Sequence, residues 1–183
     1  MTAAEALDTN DRRLHVVQGE QAMSGDPDIV LTTILGSCVS CCLRDPVARI
    51  GGMNHFLLPG GEGDAGARYG LQAMELLINR LLGAGARRDR LEAKLFGGGR
   101  LVRGLSDIGR QNAEFAERFL SDEGITYLGG SLGGDNARRV QFWPVSGRAR
   151  QFIVPDEASV FAAEQKRARA RYVEPVADAV EFF

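Results

Sequence analysis

One apolar segment near the N-terminus constrains the fold more than any other, because it contains a strand, a turn and a returning strand. Residues 29–45, IVLTTILGSCVSCCLRD, are apolar and β-branched at their start, which is typical of a buried strand. Gly36-Ser37 interrupts this strand, and Asp45-Pro46 is a turn signal. Residues 49–59, RIGGMNHFLLP, run back as the next strand. The sequence therefore predicts an antiparallel hairpin.

Further strand segments, separated by turn residues, occupy much of the remaining chain. The patterns predict strands within residues 14–23, 90–102, 125–132 and 139–155, and the last of these folds back on itself at Ser146-Gly147. The segment 90–102 runs into a glycine-rich turn. Because strands joined by short turns pair antiparallel, we expect largely antiparallel pairing.

Two segments have the apolar spacing of amphipathic helices. Residues 69–82 place apolar side chains at helical spacing, and Gly83 is the expected C-cap. Residues 106–124 place apolar side chains on one side, and Gly124 ends the helix. A short third helix is predicted over residues 157–171.

The balance of these elements predicts the fold class and the domain boundaries. Strands outnumber helices and occur mostly as hairpins, which indicates an α+β fold of the α/β sandwich type. Its largely antiparallel or mixed sheet layers are flanked by two main helices. A length of 183 residues fits one domain with a sizeable core. We expect a polar N-terminal arm over residues 1–13, the folded domain over 14–155, and a C-terminal helix and tail over 156–183.

Composition excludes several classes of function. The formal net charge of −2 gives no field that would favour nucleic acid or an anionic membrane surface. No apolar stretch is long enough to span a membrane, and the N-terminus lacks the apolar core of a secretory signal. Three cysteines within five positions make a poor disulfide framework, so we expect a reducing compartment, the cytoplasm.

The predicted hairpin brings one cysteine and one histidine together. With a tight turn at Pro46-Val47, Asp45 pairs with Ala48, and further out Cys38 faces His55 on the neighbouring strand, within reach of a thiol–imidazole hydrogen bond. An imidazole at that distance can take the thiol proton, and the resulting thiolate attacks a carbonyl carbon.

Residues just before the cysteine favour the same chemistry. The small residues Gly36 and Ser37 let a substrate backbone approach closely, and their peptide N–H groups could stabilise an oxyanion. Thr32 and Thr33 lie upstream on the same strand, where a hydroxyl could bind a substrate amide or orient the imidazole.

Simpler interpretations stay open at this point. A buried cysteine is often a small hydrophobic residue, as we predict for Cys41 and Cys42, and a lone histidine is often structural, as we predict for His15. Cys38 and Cys41 form a C-x-x-C pattern. Residues three apart on a strand point to opposite faces, however, so neither a redox pair nor a zinc site from Cys38, Cys41, Cys42 and His55 is favoured.

The glycine-rich stretches carry a weaker signal. Residues 97–100 and 129–138 lack the spacing of the phosphate-binding loop and of the dinucleotide fingerprint. We expect turns with positive φ, or backbone that lines a cleft. Asn136 and Arg138 either orient a substrate there or form an ion pair within the loop.

Several motifs in order resemble the chemoreceptor glutamine deamidases called CheD. The resemblance covers about residues 14–155 and rests on TTILGSCVSCCLRDP, GGMNHFLLP, LEAKLFGGG, DIGRQNAEF and GGDNARRV. It implies that Cys38 is the nucleophile, that His55 is the general base and acid, and that Thr32 is the third site residue. It also implies a fold shared with certain bacterial deamidating toxins, and no metal or other cofactor.

The resemblance implies an activity and two partners. Cys38 would attack the side-chain amide of a glutamine in a chemotaxis receptor, and the thioester would be hydrolysed to glutamate. The receptor is then the substrate, and the chemotaxis phosphatase CheC is an expected regulatory partner. Two other hypotheses remain: a non-enzymatic adaptor that binds receptors or CheC, and a different Cys–His acyl enzyme such as a peptidase or transglutaminase.

Overall fold

The computed structural model describes residues 12–58, 64–100 and 108–154, which form two β-sheets and two α-helices. The first sheet has four strands in the order β1-β3-β8-β9. Its strands are β1 (Arg12–His15), β3 (Ile29–Leu35), β8 (Ala137–Phe142) and β9 (Ala149–Val154). β1 pairs parallel to β3, and the other neighbours pair antiparallel.

The second sheet has five strands in the order β2-β5-β4-β6-β7. Its strands are β2 (Gln21–Ser24), β5 (Ile50–Asn54), β4 (Val39–Asp45), β6 (Glu92–Gly97) and β7 (Thr126–Leu132). Only β6 and β7 pair parallel among these neighbours. The predicted α+β class with largely antiparallel sheets is confirmed.

Both helices, α1 (Asp64–Gly83) and α2 (Ile108–Asp122), pack on the five-stranded sheet. Their apolar faces bury a core that includes Val39, Cys41 and Phe56 on the sheet side. A second core, which includes Cys38 and Cys42, contains residues of both sheets. The molecule therefore has three layers: the four-stranded sheet, the five-stranded sheet, and the helices. Among the described helices, none is long and apolar enough to cross a membrane.

The helix ends match the sequence in one case and differ in the other. Gly124 has a φ of 64° and follows α2, as predicted. After α1, the left-handed residue is Gly85, with a φ of 101°, and not the predicted Gly83. The N–H of Ala86 bonds to the carbonyl of Leu81, which is the pattern of a glycine C-cap placed at Gly85. At its other end, α1 begins at Asp64, five residues before the predicted start at residue 69.

The predicted first strand over residues 14–23 is wrong, because a turn divides it between the two sheets. The N–H of Glu20 bonds to the carbonyl of Val17, and Gly19 has a φ of 85°. A positive φ at the third residue is what a type II turn requires. Thus β1 pairs in the four-stranded sheet and β2 in the five-stranded sheet. The turn places Gln18 between an edge strand of one sheet and an edge strand of the other.

The predicted hairpin forms, but its register is shifted by two residues. Asp45 pairs with Ile50 and not with Ala48, because the loop has four residues, 46–49. The Asp45 carboxylate accepts hydrogen bonds from the N–H groups of Val47 and Ala48, and Arg49 has a φ of 57°. These side-chain bonds stabilise the longer loop. A shift of two residues keeps every side chain on its predicted face.

Other predicted elements divide between described and undescribed parts of the chain. The β8–β9 hairpin is confirmed, and Gly147 in its loop has a φ of 71°. β1 begins at Arg12, inside the arm predicted over residues 1–13. The third helix predicted over 157–171 lies outside the described residues.

Candidate active site

Cys38 lies where the chain crosses from one sheet to the other. The loop 36–38 connects β3 of the four-stranded sheet to β4 of the five-stranded sheet. All three carbonyl groups of this loop accept hydrogen bonds. Gly36 accepts from the N–H of Gly99 at 2.8 Å, Ser37 from the side chain of Asn112 at 3.1 Å, and Cys38 from the N–H of Gly98 at 2.8 Å. The peptide planes around the thiol are therefore fixed.

The triglycine turn after β6 makes this loop possible. Gly97 and Gly98 have φ values of 109° and 65°, in the left-handed region that favours glycine. A Cβ at Gly97 would collide with the carbonyl oxygen of Cys38. The motif GGG at 97–99 thus provides close backbone approach to the cysteine loop, one of the two interpretations that the sequence allowed.

His55 directly follows β5 and lies on the same face as Cys38. Its N–H bonds to the carbonyl of Glu20 at 3.0 Å, and its carbonyl accepts from the N–H of Gly19 at 2.7 Å. An isolated bridge between Val39 and Phe56 extends the β4–β5 register, which makes Cys38 and His55 diagonal neighbours and not directly opposed residues. Diagonal neighbours have Cα atoms roughly 7–8 Å apart, still within reach of long side chains.

The hydrogen bonds of His55 define its tautomer. Thr33 Oγ1 lies 2.6 Å from the carbonyl oxygen of Val16 and 2.9 Å from Nδ1 of His55. A carbonyl can only accept, so the single hydroxyl proton of Thr33 goes to Val16. The hydroxyl then accepts from His55, which places the imidazole proton on Nδ1. The lone pair is therefore on Nε2.

Burial keeps this imidazole neutral. His55 is 2% exposed, and desolvation lowers its pKa to about 4. The contact of its Nδ1–H with the Val16 carbonyl oxygen, at 3.4 Å, acts in the opposite direction. Within the described part of the chain, Nε2 is buried and has no hydrogen-bond partner. A neutral imidazole with a lone pair on a buried nitrogen is the form that a general base requires.

Gln18 lies beside the thiol of Cys38, a buried residue that is 6% exposed. The Cys38 Sγ–H group donates to Gln18 Oε1 at 3.4 Å. Gln18 is exposed, whereas His55 is buried. The thiol therefore contacts an exposed residue of the turn between β1 and β2. Nothing in the sequence distinguished this residue, because its turn was predicted to be strand.

The two threonines point to opposite sides of β3. Thr33 contacts His55, as described above, whereas Thr32 Oγ1 donates to the carbonyl of Val140 at 3.0 Å. Thr32 pairs with His15 on one side and Gln141 on the other. Cys38 and His55 thus lie on one face of the five-stranded sheet, and Thr33 of the four-stranded sheet contacts His55 there. The role that the resemblance gives Thr32 stays a prediction.

The other two cysteines have different surroundings. Cys41 belongs to the helix-side core, on the opposite face of β4 from Cys38. Cys42 shares the face of Cys38 but pairs with Met53, further along the hairpin. Desolvation raises the pKa of Cys41 well above its usual value and that of Cys42 to about 12. Both therefore remain protonated at neutral pH.

We expect alkylation at neutral pH to discriminate among the three thiols. Iodoacetamide should modify Cys38 and leave Cys41 and Cys42 unmodified in the folded protein, as measured by peptide mass spectrometry. Equal modification of all three thiols in the folded protein would contradict this expectation.

Serine variants test the two buried cysteines in another way. Cys41→Ser and Cys42→Ser should keep the activity of the parent protein and lose roughly 1–3 kcal/mol of stability from a buried hydroxyl.

The late loop has a structural role. Arg138 is 3% exposed, and its guanidinium donates to the carbonyls of Ser131, Gly133 and Asn136. It therefore holds the loop between β7 and β8 in place. Within the described residues these partners are carbonyl and hydroxyl oxygens of β7 and the loop and not a carboxylate, so the loop ion pair is not observed there, and the substrate contact stays a prediction.

Taken together, the geometry supports acyl chemistry at Cys38. A thiol beside the exposed Gln18, a neutral imidazole whose buried Nε2 has the lone pair, and a loop held by hydrogen bonds around the thiol are parts that nucleophilic attack on a carbonyl carbon uses. The remaining question is which carbonyl compound the site attacks.

The chain is similar to a family model and to several proteins that share one name. The family model CheD, chemotactic sensory transduction, matches residues 57–151. A protein of Acidiphilium cryptum named "Probable chemoreceptor glutamine deamidase CheD" is 57% identical over 178 residues, 94% of either chain. A relative of the same name in Rhizobium rhizogenes is 54% identical over 185 residues, which are 97% of this chain and 99% of that one. Another, in a Caulobacter strain, is 64% identical over 146 residues, 78% of either chain.

Similarity to solved structures is slight. A Neisseria meningitidis protein aligns with 69% of this chain and 65% of its own, with a TM-score of 0.46 and 8% identity.

Proposed function

Since the chain belongs to the CheD family, we propose that it is a protein-glutamine deamidase that converts glutamines of chemotaxis receptors to glutamate and releases ammonia. One observation carries the proposal: Cys38, whose thiol donates to the exposed Gln18, shares its face of the sheet with the neutral base His55. We assign this activity to residues 14–155.

The proposed reaction has two halves. The Cys38 sulfur attacks the carboxamide carbon of the substrate glutamine while Nε2 of His55 takes the thiol proton. The tetrahedral intermediate collapses when the protonated imidazole gives that proton to the departing nitrogen, which leaves as ammonia. Water, deprotonated by Nε2, then cleaves the thioester, and the proton returns to the Cys38 sulfur. Amide and water are consumed, and glutamate and ammonia are formed.

The product explains why the reaction would matter to a receptor. Each turnover replaces a neutral carboxamide by a carboxylate. On a helical bundle, added like charges at neighbouring positions repel one another and alter packing. We propose the phosphatase CheC as a regulatory partner on the family resemblance alone, and the cytoplasm as the compartment on the cysteine pattern.

Ammonia release from a purified chemoreceptor fragment tests this function. The protein should release ammonia from the fragment and leave its chain length unchanged, as measured by a coupled ammonia assay and by intact mass. An adaptor would release none, and a peptidase would shorten the chain. Either result would overturn the proposed function.

We expect the two neighbouring threonines to differ in their effect on rate. Thr33→Val removes the nearer of the two acceptors of His55 Nδ1–H, the other being the Val16 carbonyl at 3.4 Å, and the loss of about one hydrogen bond, roughly 1 kcal/mol, should lower kcat about fivefold. Thr32→Val is the matched control, because its hydroxyl donates to the backbone carbonyl of Val140 on the other face of β3. Steady-state kinetics of the two variants show which substitution lowers kcat more. A larger loss in Thr32→Val would support instead the role that the resemblance assigns to Thr32.

A further inference from the structure

Asn112 is a buried polar residue on the apolar side of α2. It is 0% exposed, and both the oxygen and the nitrogen of its carboxamide have hydrogen-bond partners. Oδ1 accepts from the N–H of Leu58 at 2.7 Å, and Nδ2 donates to the carbonyls of Ser37 at 3.1 Å and Ile108 at 2.8 Å. Only the bond to Ile108 lies within the helix. The other two bonds leave α2 for loops of the five-stranded sheet.

Those two loops carry the proposed catalytic pair. Ser37 directly precedes Cys38, and Leu58 lies three residues after His55. A single side chain from a third element therefore connects the nucleophile segment to the base segment. Elsewhere the cysteine loop is held by backbone groups of Gly98 and Gly99, so Asn112 is the side chain that completes its support.

The bond to Ser37 also fixes the direction of the Cys38 N–H. No cis peptide bond occurs in the described residues, so the Ser37 carbonyl and the Cys38 N–H point in opposite directions across one planar group. Because the carbonyl points to Asn112, the N–H points away from α2. In acyl-transfer enzymes the N–H of the nucleophilic residue is one of the groups that stabilise the oxyanion.

We propose that Asn112 is a positioning residue that holds the Cys38 peptide and the segment after His55 in their reactive arrangement. The inference rests on the proposed deamidase function. Substrate does not need to touch Asn112, so its loss should lower the rate of the chemical step and leave substrate binding largely unchanged. A purely structural residue would instead change the stability and leave kcat of the folded protein intact.

The test is the steady-state kinetics of Asn112→Ala with a chemoreceptor fragment, at a temperature where circular dichroism shows the variant folded. A misplacement of about 1 Å costs on the order of 10²-fold, so we expect kcat to fall about a hundredfold and KM to change less than about threefold. Asn112→Asp is the second variant. It keeps an acceptor for Leu58 and, when ionised, loses the donor to Ser37, so its kcat should fall further as pH rises.

Asp45→Asn is the matched control. Asp45 is as buried as Asn112 and also ties loops together, through the N–H groups of Val47 and Arg87, but it lies at the far end of β4 from Cys38. This variant should lose stability and keep kcat. An Asn112→Ala protein with parental kcat, or Asn112 and Asp45 variants that lose kcat in proportion to their stability, would overturn the inference. A parent protein that releases no ammonia would refute the proposed function instead.

Discussion

Replacing Cys38 with alanine is expected to abolish ammonia release from a chemoreceptor fragment. The mechanism forms its thioester on this sulfur, and no other thiol can substitute. Cys41 lies on the other face of the strand, and the pKa of Cys42 is raised to about 12 by burial. The measurement is the initial rate of ammonia release by the variant and by the parent at equal concentrations of folded protein.

The two other cysteines supply the control for this experiment. Cys42→Ser changes a sulfur on the same face of the same strand and should retain the parental rate. A redox or zinc protein would behave differently, because Cys38 and Cys41 would be equally indispensable and activity would be lost to an oxidant or a chelator.

Replacing His55 with alanine should have the second largest effect, a loss of about 10²–10⁴-fold in kcat/KM, which is typical for a general base. The base acts only when neutral, and the pKa of His55 is lowered to about 4 by burial. Activity limited by this group should therefore persist at pH 5–6 and fall as pH drops through about 4. The pH profile of kcat/KM between about pH 3 and 6 measures this fall in activity. His15→Ala, at the exposed histidine of β1, should keep both the rate and the profile.

The same pKa has a consequence for stability. In the unfolded chain a histidine takes up its proton near pH 6.5, whereas folded His55 does so near pH 4. The unfolded chain therefore binds more protons between these values, so stability rises with pH across this window and is lost as pH falls. The full difference corresponds to about 3 kcal/mol, and His55→Gln should remove it in urea unfolding at pH 4.5 and 7. An unchanged pH dependence in that variant would contradict the neutral, buried state of His55.

The sequence was sufficient for the fold class and for the faces of the hairpin. Alternation along a strand has a period of two, so Cys38 and His55 could be assigned to one face even though the predicted register was wrong by two residues. The register itself depended on Asp45, whose side chain bonds to Val47 and Ala48 and lengthens the loop. Turn signals identify such a loop without fixing its length.

Contacts between distant segments were beyond sequence reasoning. The predicted strand over residues 14–23 hid the turn at Gly19, and with it the position of Gln18 at the thiol. The choice between Thr32 and Thr33 required the face of β3 that meets His55, which belongs to the other sheet. The structure places Thr33 against His55, and the catalytic role that the resemblance gives Thr32 stays a prediction.

Asn112 shows what a sequence can indicate and what it cannot. A polar residue on the apolar side of the helix predicted over residues 106–124 is a signal of a buried hydrogen-bonding role. Its partners, Ser37 and Leu58, are more than fifty residues away in the chain. Only the packing of α2 against the cysteine loop shows that this role concerns the active site.

A site-resolved mass spectrum of a chemoreceptor fragment tests the central claim most directly. The fragment is incubated with the parent protein, with Cys38→Ala, and without protein, and every glutamine is then assigned as glutamine or glutamate. We predict conversion of particular glutamines by the parent alone, with one ammonia released for each and no cleavage of the chain. Glutamines that stay unchanged with the parent, or that Cys38→Ala converts equally well, would contradict a deamidase that acts through Cys38.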